Sequence, residues 1–164
     1  MRGANVANMD LLSPCLTPCR VPVLVPGIEQ RSRVFDPGRI AVHEIMAFTL
    51  DTLKAWSAES ASPNVTRALS ELLHWLLHNE PCPLGTVATV WIDRPLVFVD
   101  LADRSTAIPN LGLDPSPTDQ VLRQSLAKCT EDWGAELTTQ GRCLWASFHA
   151  GENPRLAERA RQGA

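Results

Sequence analysis

The chain has 164 residues, 45% of them hydrophobic, with 15 basic against 18 acidic side chains and a net charge of -3. This suits one globular unit with one real core, and the lack of any basic run or basic helix face argues against a nucleic-acid partner. No apolar stretch approaches the ~20 residues of a membrane span and the N-terminus lacks a continuous apolar signal core, so a cytoplasmic protein without membrane contact is expected.

In chain order, residues 1–30 carry Pro14, Pro18, Pro22 and Pro26 at a spacing of four with no sustained periodicity, an irregular lead-in. Arg33-Val34-Phe35 has the makings of a short strand. Asp36-Pro37-Gly38 is a turn or cap that starts a helix running to about residue 56, with Val42, Ile45, Met46, Thr49, Leu53 and Trp56 as its buried stripe. Ser62-Pro63 supplies an N-cap and a first-turn proline for a second helix, which stops at Asn79 ahead of Pro81 and Pro83. Short β-branched runs over 86–92 and 96–101, joined at Asp93-Arg94-Pro95, predict an antiparallel hairpin. Residues 102–117 hold prolines and glycine without periodicity and read as a long loop. Ser116-Pro117-Thr118-Asp119 resembles a capped helix start, after which Leu122, Leu126, Cys129 and Trp133 recur at helical spacing. Residues 135–139 and 143–148, joined at Gln140-Gly141, predict a second hairpin, and 151–164 a flexible polar tail. Helices confined to one face of a largely antiparallel sheet give an α+β two-layer sandwich, with a mostly antiparallel mixed sheet covered by three helices.

The second helix carries two faces. Val65, Leu69, Leu72, Leu73 and Leu76 gather on one side and anchor it to a core. Opposite lie Arg67, Glu71, His74, Trp75 and His78, which line either a pocket or a half-exposed surface with one awkward tryptophan. His74 and His78 stand four apart, as zinc ligands can, but no third ligand has supporting spacing, so they read as structural or solvated. No Ser-His-Asp or Cys-His constellation can be built around His43 or His149. The five cysteines, Cys15, Cys19, Cys82, Cys129 and Cys143, are odd in number and scattered, and read as reduced thiols.

Over residues 34–148 these features resemble the Bergerat or GHKL (histidine kinase-like) ATPase fold, in its small anti-sigma-factor serine kinase branch common in actinomycetes. Ser70-Glu71-Leu72-Leu73-His74-Trp75 is similar to that branch's Ser-Glu-Leu-x-x-Asn motif up to the last position. Val99-Asp100-Leu101-Ala102-Asp103-Arg104-Ser105 resembles the family's strand-closing aspartate and small-residue turn, and Trp133-Gly134 with Leu144-Trp145-Ala146-Ser147-Phe148 its closing hairpin. The resemblance implies a GHKL ATPase-like domain over 31–150, with Glu71 at the general base and Asp103 reading the adenine amino group. Trp75 stands in place of the asparagine that holds magnesium, and His74 and Ser105 join the same pocket.

Two departures weaken the implied ATP and magnesium binding. An indole offers only a donor, whereas magnesium demands oxygen ligands. Thr118-Asp119-Gln120-Val121 lacks the glycine that lets backbone amides approach phosphate at a helix N-terminus, and Asp119 adds a negative charge there. The expected function is therefore that of a regulatory protein which binds a sigma factor or an anti-sigma antagonist-like protein, able to form a homodimer, with a degenerate nucleotide site. Two alternatives stand beside it. One is an active ATP-dependent serine/threonine protein kinase in which Glu71 is catalytic. The other is a small-molecule sensor using a pocket of Glu71, His74, Trp75 and Asp103.

Overall fold

The computed structural model describes residues 28–37 and 39–151; most of the proline-spaced lead-in, Gly38, Cys15, Cys19 and nearly all of the tail lie outside the described residues. The strands are β1 (Glu29–Phe35), β2 (Thr86–Asp93), β3 (Leu96–Asp103), β4 (Asp132–Thr138) and β5 (Gly141–His149). They form one sheet in the order β1-β2-β3-β5-β4, with every neighbouring pair antiparallel. Helices α1 (Arg39–Ala55), α2 (Ser62–His78) and α3 (Pro117–Leu126) cover one face, so the molecule is an α+β two-layer sandwich. No helix among the described residues is long and apolar enough to cross a membrane.

Side-chain alternation builds the core. Ala88, Val90 and Ile92 of β2, Val97, Val99 and Leu101 of β3, and Leu144, Ala146 and Phe148 of β5 face the helices, in step with the two-residue period of a strand. Against them α2 sets Val65, Ala68, Leu69, Leu72, Leu73 and Leu76, and α1 sets Ile45 and Leu53. Thr49 and Thr52 are buried on α1 without leaving a hydroxyl unpaired, because each donates to the carbonyl one turn back, Ile45 O at 2.9 Å and Phe48 O at 2.8 Å. Trp56 closes this helix, where its ring meets the Arg31 guanidinium of β1 at 5.8 Å.

Three local expectations need correction. β1 is seven residues long rather than three, because it pairs with β2 from Glu29↔Ile92 to Phe35↔Thr86; as an edge strand exposed almost throughout, its polar sequence shows no alternation to detect. Ser62 is not an N-cap but the first residue of α2: a 3₁₀ turn, Glu59–Ala61, runs directly into the helix, Ala61 takes the cap position without a side-chain hydrogen bond, and Pro63 fills the first turn as expected. Trp133 belongs to β4, since α3 ends at Leu126 and Cys129 and Thr130 only turn back onto it, through Cys129 N to Leu126 O at 3.1 Å and Thr130 N to the same oxygen at 3.0 Å.

The start of α3 follows the sequence. Ser116 Oγ accepts from Asp119 N at 3.1 Å and donates to Asp119 Oδ2 at 2.8 Å, a reciprocal cap. Two glycines are demanded by their neighbours. A β-carbon on Gly134 would lie 2.8 Å from the Trp145 ring, so only glycine lets that indole lie across β4. Gly141 has φ of 138°, and a β-carbon there would run into the Asp103 carbonyl oxygen. Gly141→Ala is therefore expected to lower stability by at least about 2 kcal/mol through backbone strain and the loosened β3–β5 end; a urea midpoint equal to that of the parent would contradict this reading.

Candidate functional site

The site lies where β3 ends, β5 begins and α2 finishes. Antiparallel register sets Asp103 opposite Arg142, and both share the strand parity of Leu101 and Leu144, so both point into the helix-covered core. Arg142 is only 1% exposed and Asp103 2%. An unpaired charge in such a place would cost several kcal/mol, and pairing with hydrogen bonds offsets that cost.

All five N–H groups of Arg142 find oxygen. Nε and Nη2 form a two-pronged pair with Asp103 Oδ1 and Oδ2 at 2.9 and 3.0 Å. Nη2 also donates to Glu80 O at 3.0 Å and, at 3.5 Å, to Leu76 O, while Nη1 donates to Asn79 O and to Ala107 O. The guanidinium thus collects carbonyls that the last turn of α2 leaves without helical partners, and places a positive charge at the negative end of that helix. Through Ala107 it also pins the loop that follows β3. Asp103 Oδ1 in addition accepts from Ser105 N at 2.9 Å, and Ser105 Oγ donates to Glu80 Oε2 at 3.1 Å.

Trp75 stacks the next layer. It is 2% exposed, lies with its ring 5.4 Å from the Arg142 guanidinium, and donates its Nε1–H to Asp119 Oδ1 at 2.7 Å. Asp119 is itself buried at the α3 N-terminus and takes its other contact from Ser116. A continuous chain of contacts, Asp103–Arg142–Trp75–Asp119–Ser116, therefore joins β3, β5, α2 and α3. The space left beside Asp103 is a cavity of about 40 Å³, lined among others by Val42, Leu73, Leu76, Cys82 and Thr86. That is room for a water-sized group and far below the several hundred Å³ of a typical ligand site. A depression of about 500 Å³ between Arg104, Thr106 and the hairpin tip from Leu137 to Gly141 includes none of Glu71, His74, Trp75 or Asp103.

Of the residues that the sequence singled out, contacts through Arg142 link Trp75, Asp103 and Ser105, and none of these contacts includes Glu71 or His74. Glu71 is half-buried one turn before Trp75; its charge, with that of Arg67, is felt by the Cys129 thiol. His74 is exposed, and its ring lies 4.1 Å from that of His78, whose Nδ1 donates to His74 O at 2.8 Å. The cavity beside Asp103 is lined by none of Glu71, His74 and Trp75: Trp75 turns inward to Asp119 and Arg142, while His74 and His78 are exposed. Asn79, the residue after α2, points its amide nitrogen back at Trp75 O at 2.9 Å as a helix cap. Among the described residues no group of three or more His, Cys, Asp or Glu side chains could hold a metal ion.

Arg142 was missed by the sequence reading, although a signal was present. It follows a Gln-Gly turn and stands two residues before Leu144, on the inward parity of its strand, where a charged residue needs a partner.

Arg142→Met leaves the Asp103 carboxylate buried without its cation and is expected to lower stability by about 3–5 kcal/mol, whereas Arg142→Met with Asp103→Leu recovers a large part of the loss. Equal urea midpoints for the single and double variants would remove the ion pair from its central place. Burial pushes the Cys129 thiol above its ordinary 9.0, helped by Glu71 and opposed by Arg67. Above that pH the unfolded chain releases the proton while the folded chain keeps it, so this contribution to stability falls as pH rises. The decline in unfolding free energy between about pH 8 and about pH 10 should be shallower in Cys129→Ala than in the parent; parallel declines would contradict it. No family model matches the chain and no curated protein matches it, which leaves its function to be read from this geometry.

Proposed function

We propose that the chain is a regulatory domain of the GHKL, anti-sigma-factor type that acts by binding another protein, with its nucleotide position filled from within. The partner this reading calls for is a sigma factor or an anti-sigma antagonist-like protein. The single observation that carries it is the Arg142–Asp103 pair. Asp103, the residue the resemblance assigns to the adenine amino group, has both carboxylate oxygens engaged by a guanidinium whose own donors are all used. Trp75 supports the same conclusion, since it is buried against Asp119 at the point where the resemblance expects a magnesium-holding asparagine.

Opening this site to adenine requires breaking a buried ion pair and uncapping α2, a cost of several kcal/mol before any ligand contact is made. Glu71 acts electrostatically on the Cys129 thiol, and it is not among the groups that bond Asp103 or Arg142. A protein partner, by contrast, has apolar surface to engage. The loop pinned by Arg142 exposes Ile108, Leu111 and Leu113, the last one fully in solvent, and α3 adds Val121. In this reading the filled pocket is a brace that presents the 104–116 loop in one shape, and a homodimer is compatible with it.

The test is calorimetric titration of the full chain with magnesium-ATP, together with a radiolabel-transfer assay on proteins that co-purify with it. No heat of binding up to about 1 mM nucleotide, an affinity of only about 4 kcal/mol, is expected, with no label on any partner. Saturable binding in the micromolar range with label transfer, lost in Glu71→Gln, would establish the kinase reading in its place.

A further inference from the structure

The outward side of α2 carries two residues that neither the Arg142 cluster nor the core uses. His74 and His78 are both exposed, and their ring centroids lie 4.1 Å apart. A spacing of four in the sequence fits two solvated imidazoles equally well, and the structure adds what the spacing lacks. His78 Nδ1 lies 2.8 Å from His74 O. A carbonyl oxygen only accepts, so Nδ1 carries the proton, and the lone pair of the neutral ring sits on Nε2, the nitrogen farther from the backbone. Metal-ligating imidazoles are oriented in this way, by giving their other N–H to a backbone carbonyl or a carboxylate. The His74 ring has no hydrogen-bond partner among the described residues, which leaves it free to turn a nitrogen toward the same point.

We infer that His74 and His78 form a chelating site for a borderline divalent transition-metal ion of the zinc or nickel class, held by both Nε2 atoms with water in the remaining positions. Zinc–imidazole bonds of about 2.0–2.1 Å put two ligand nitrogens about 3.4 Å apart in tetrahedral geometry. Rings whose centroids are 4.1 Å apart reach that spacing through small side-chain rotations. The charges nearby favour a cation. Glu71 lies one turn before His74 on the same side of the helix and Glu80 two residues after His78, whereas Arg67 stands seven residues before His74, about 10 Å along the axis. Arg142, the other cation near this helix end, is paired with Asp103. Imidazole nitrogen selects zinc, nickel and copper over magnesium and calcium, which require oxygen. Two protein ligands are one fewer than a catalytic zinc site uses, so the ion stays exchangeable and keeps open positions for a further ligand. Bound there, it ties residues 74 and 78 across one turn, beside the Leu76, Asn79 and Glu80 carbonyls that Arg142 collects, and stabilises the folded chain by mass action. The inference does not depend on the proposed function.

Two measurements on the full, reduced chain test it, with zinc and nickel ions as probes. In long-range proton–nitrogen spectra, added Zn²⁺ should shift the Nε2 resonances of His74 and His78 together and saturably, while those of His43 and His149 stay in place and Mg²⁺ has no effect. Calorimetric titration with Ni²⁺ should give a site of micromolar affinity in the parent. That site should weaken at least about tenfold in His74→Gln and in His78→Gln, since losing a ligand costs at least what losing a group that orients one does, and stay unchanged in His43→Gln with His149→Gln. Zinc that moves neither ring, or only one of them, overturns the inference. So does nickel binding of equal strength in the parent and both site variants, which would put the ion on the thiols, or no nickel binding in the parent at all.

Discussion

The placement of one guanidinium governs the arrangement of the helices on this sheet. Arg142 stands on an inward strand position, where burial without partners would cost several kcal/mol, a large share of the stability of a small domain. Its surroundings are what that constraint requires. Asp103 supplies the opposite charge in two-pronged geometry, the end of α2 supplies Leu76, Asn79 and Glu80 carbonyls, and the following loop supplies Ala107 O. These acceptors come from three stretches of chain: the end of β3, residues 76–80 at and just beyond the end of α2, and the loop after β3. Satisfying one side chain therefore fixes how the end of α2, the end of β3 and the start of the long loop meet.

Trp75 extends this arrangement to α3. The leucine stripe of α2 holds the helix on the sheet, but an apolar stripe is non-directional and would tolerate rotation by a few tens of degrees. The Trp75 indole is directional at both ends, with its ring at the Arg142 guanidinium and its N–H on Asp119. Asp119 is in turn fixed by Ser116 in the helix cap. Trp75 thus works as a strut between two helices, with the acidic residue at the α3 N-terminus as its partner.

How much was legible in the sequence depended on whether a residue's role was local. The leucine stripe of α2, the reciprocal cap at Ser116 and the two hairpins come from periodicity and turn chemistry, and the structure contains them. β1 was cut short because an edge strand exposed on both sides has no apolar alternation, so Glu29 to Arg33 look like any polar stretch. Trp133 continued the spacing of Leu122, Leu126 and Cys129 by coincidence, and only its pairing with Ala146 makes it a strand residue. Glu71 and His74 were grouped with Trp75 because helical geometry puts them on neighbouring faces. Which of those faces meets β5 is decided by a residue 67 positions away from Trp75 in the sequence, and no local pattern carries that information.

The Arg142–Asp103 pair need not raise stability to shape the molecule. A well-packed pair of apolar residues would hold the same volume with no desolvation cost, and such replacements are often neutral or favourable. What the ion pair adds is selectivity among packings. An aliphatic cluster at this corner could accept α2 in several rotations, whereas the five N–H groups of a rigid fork accept only the one in which the end of the helix, the strand end and the loop all present oxygen. The same feature that closes the space beside Asp103 to about 40 Å³ is therefore the feature that gives the exposed 104–116 loop a defined base.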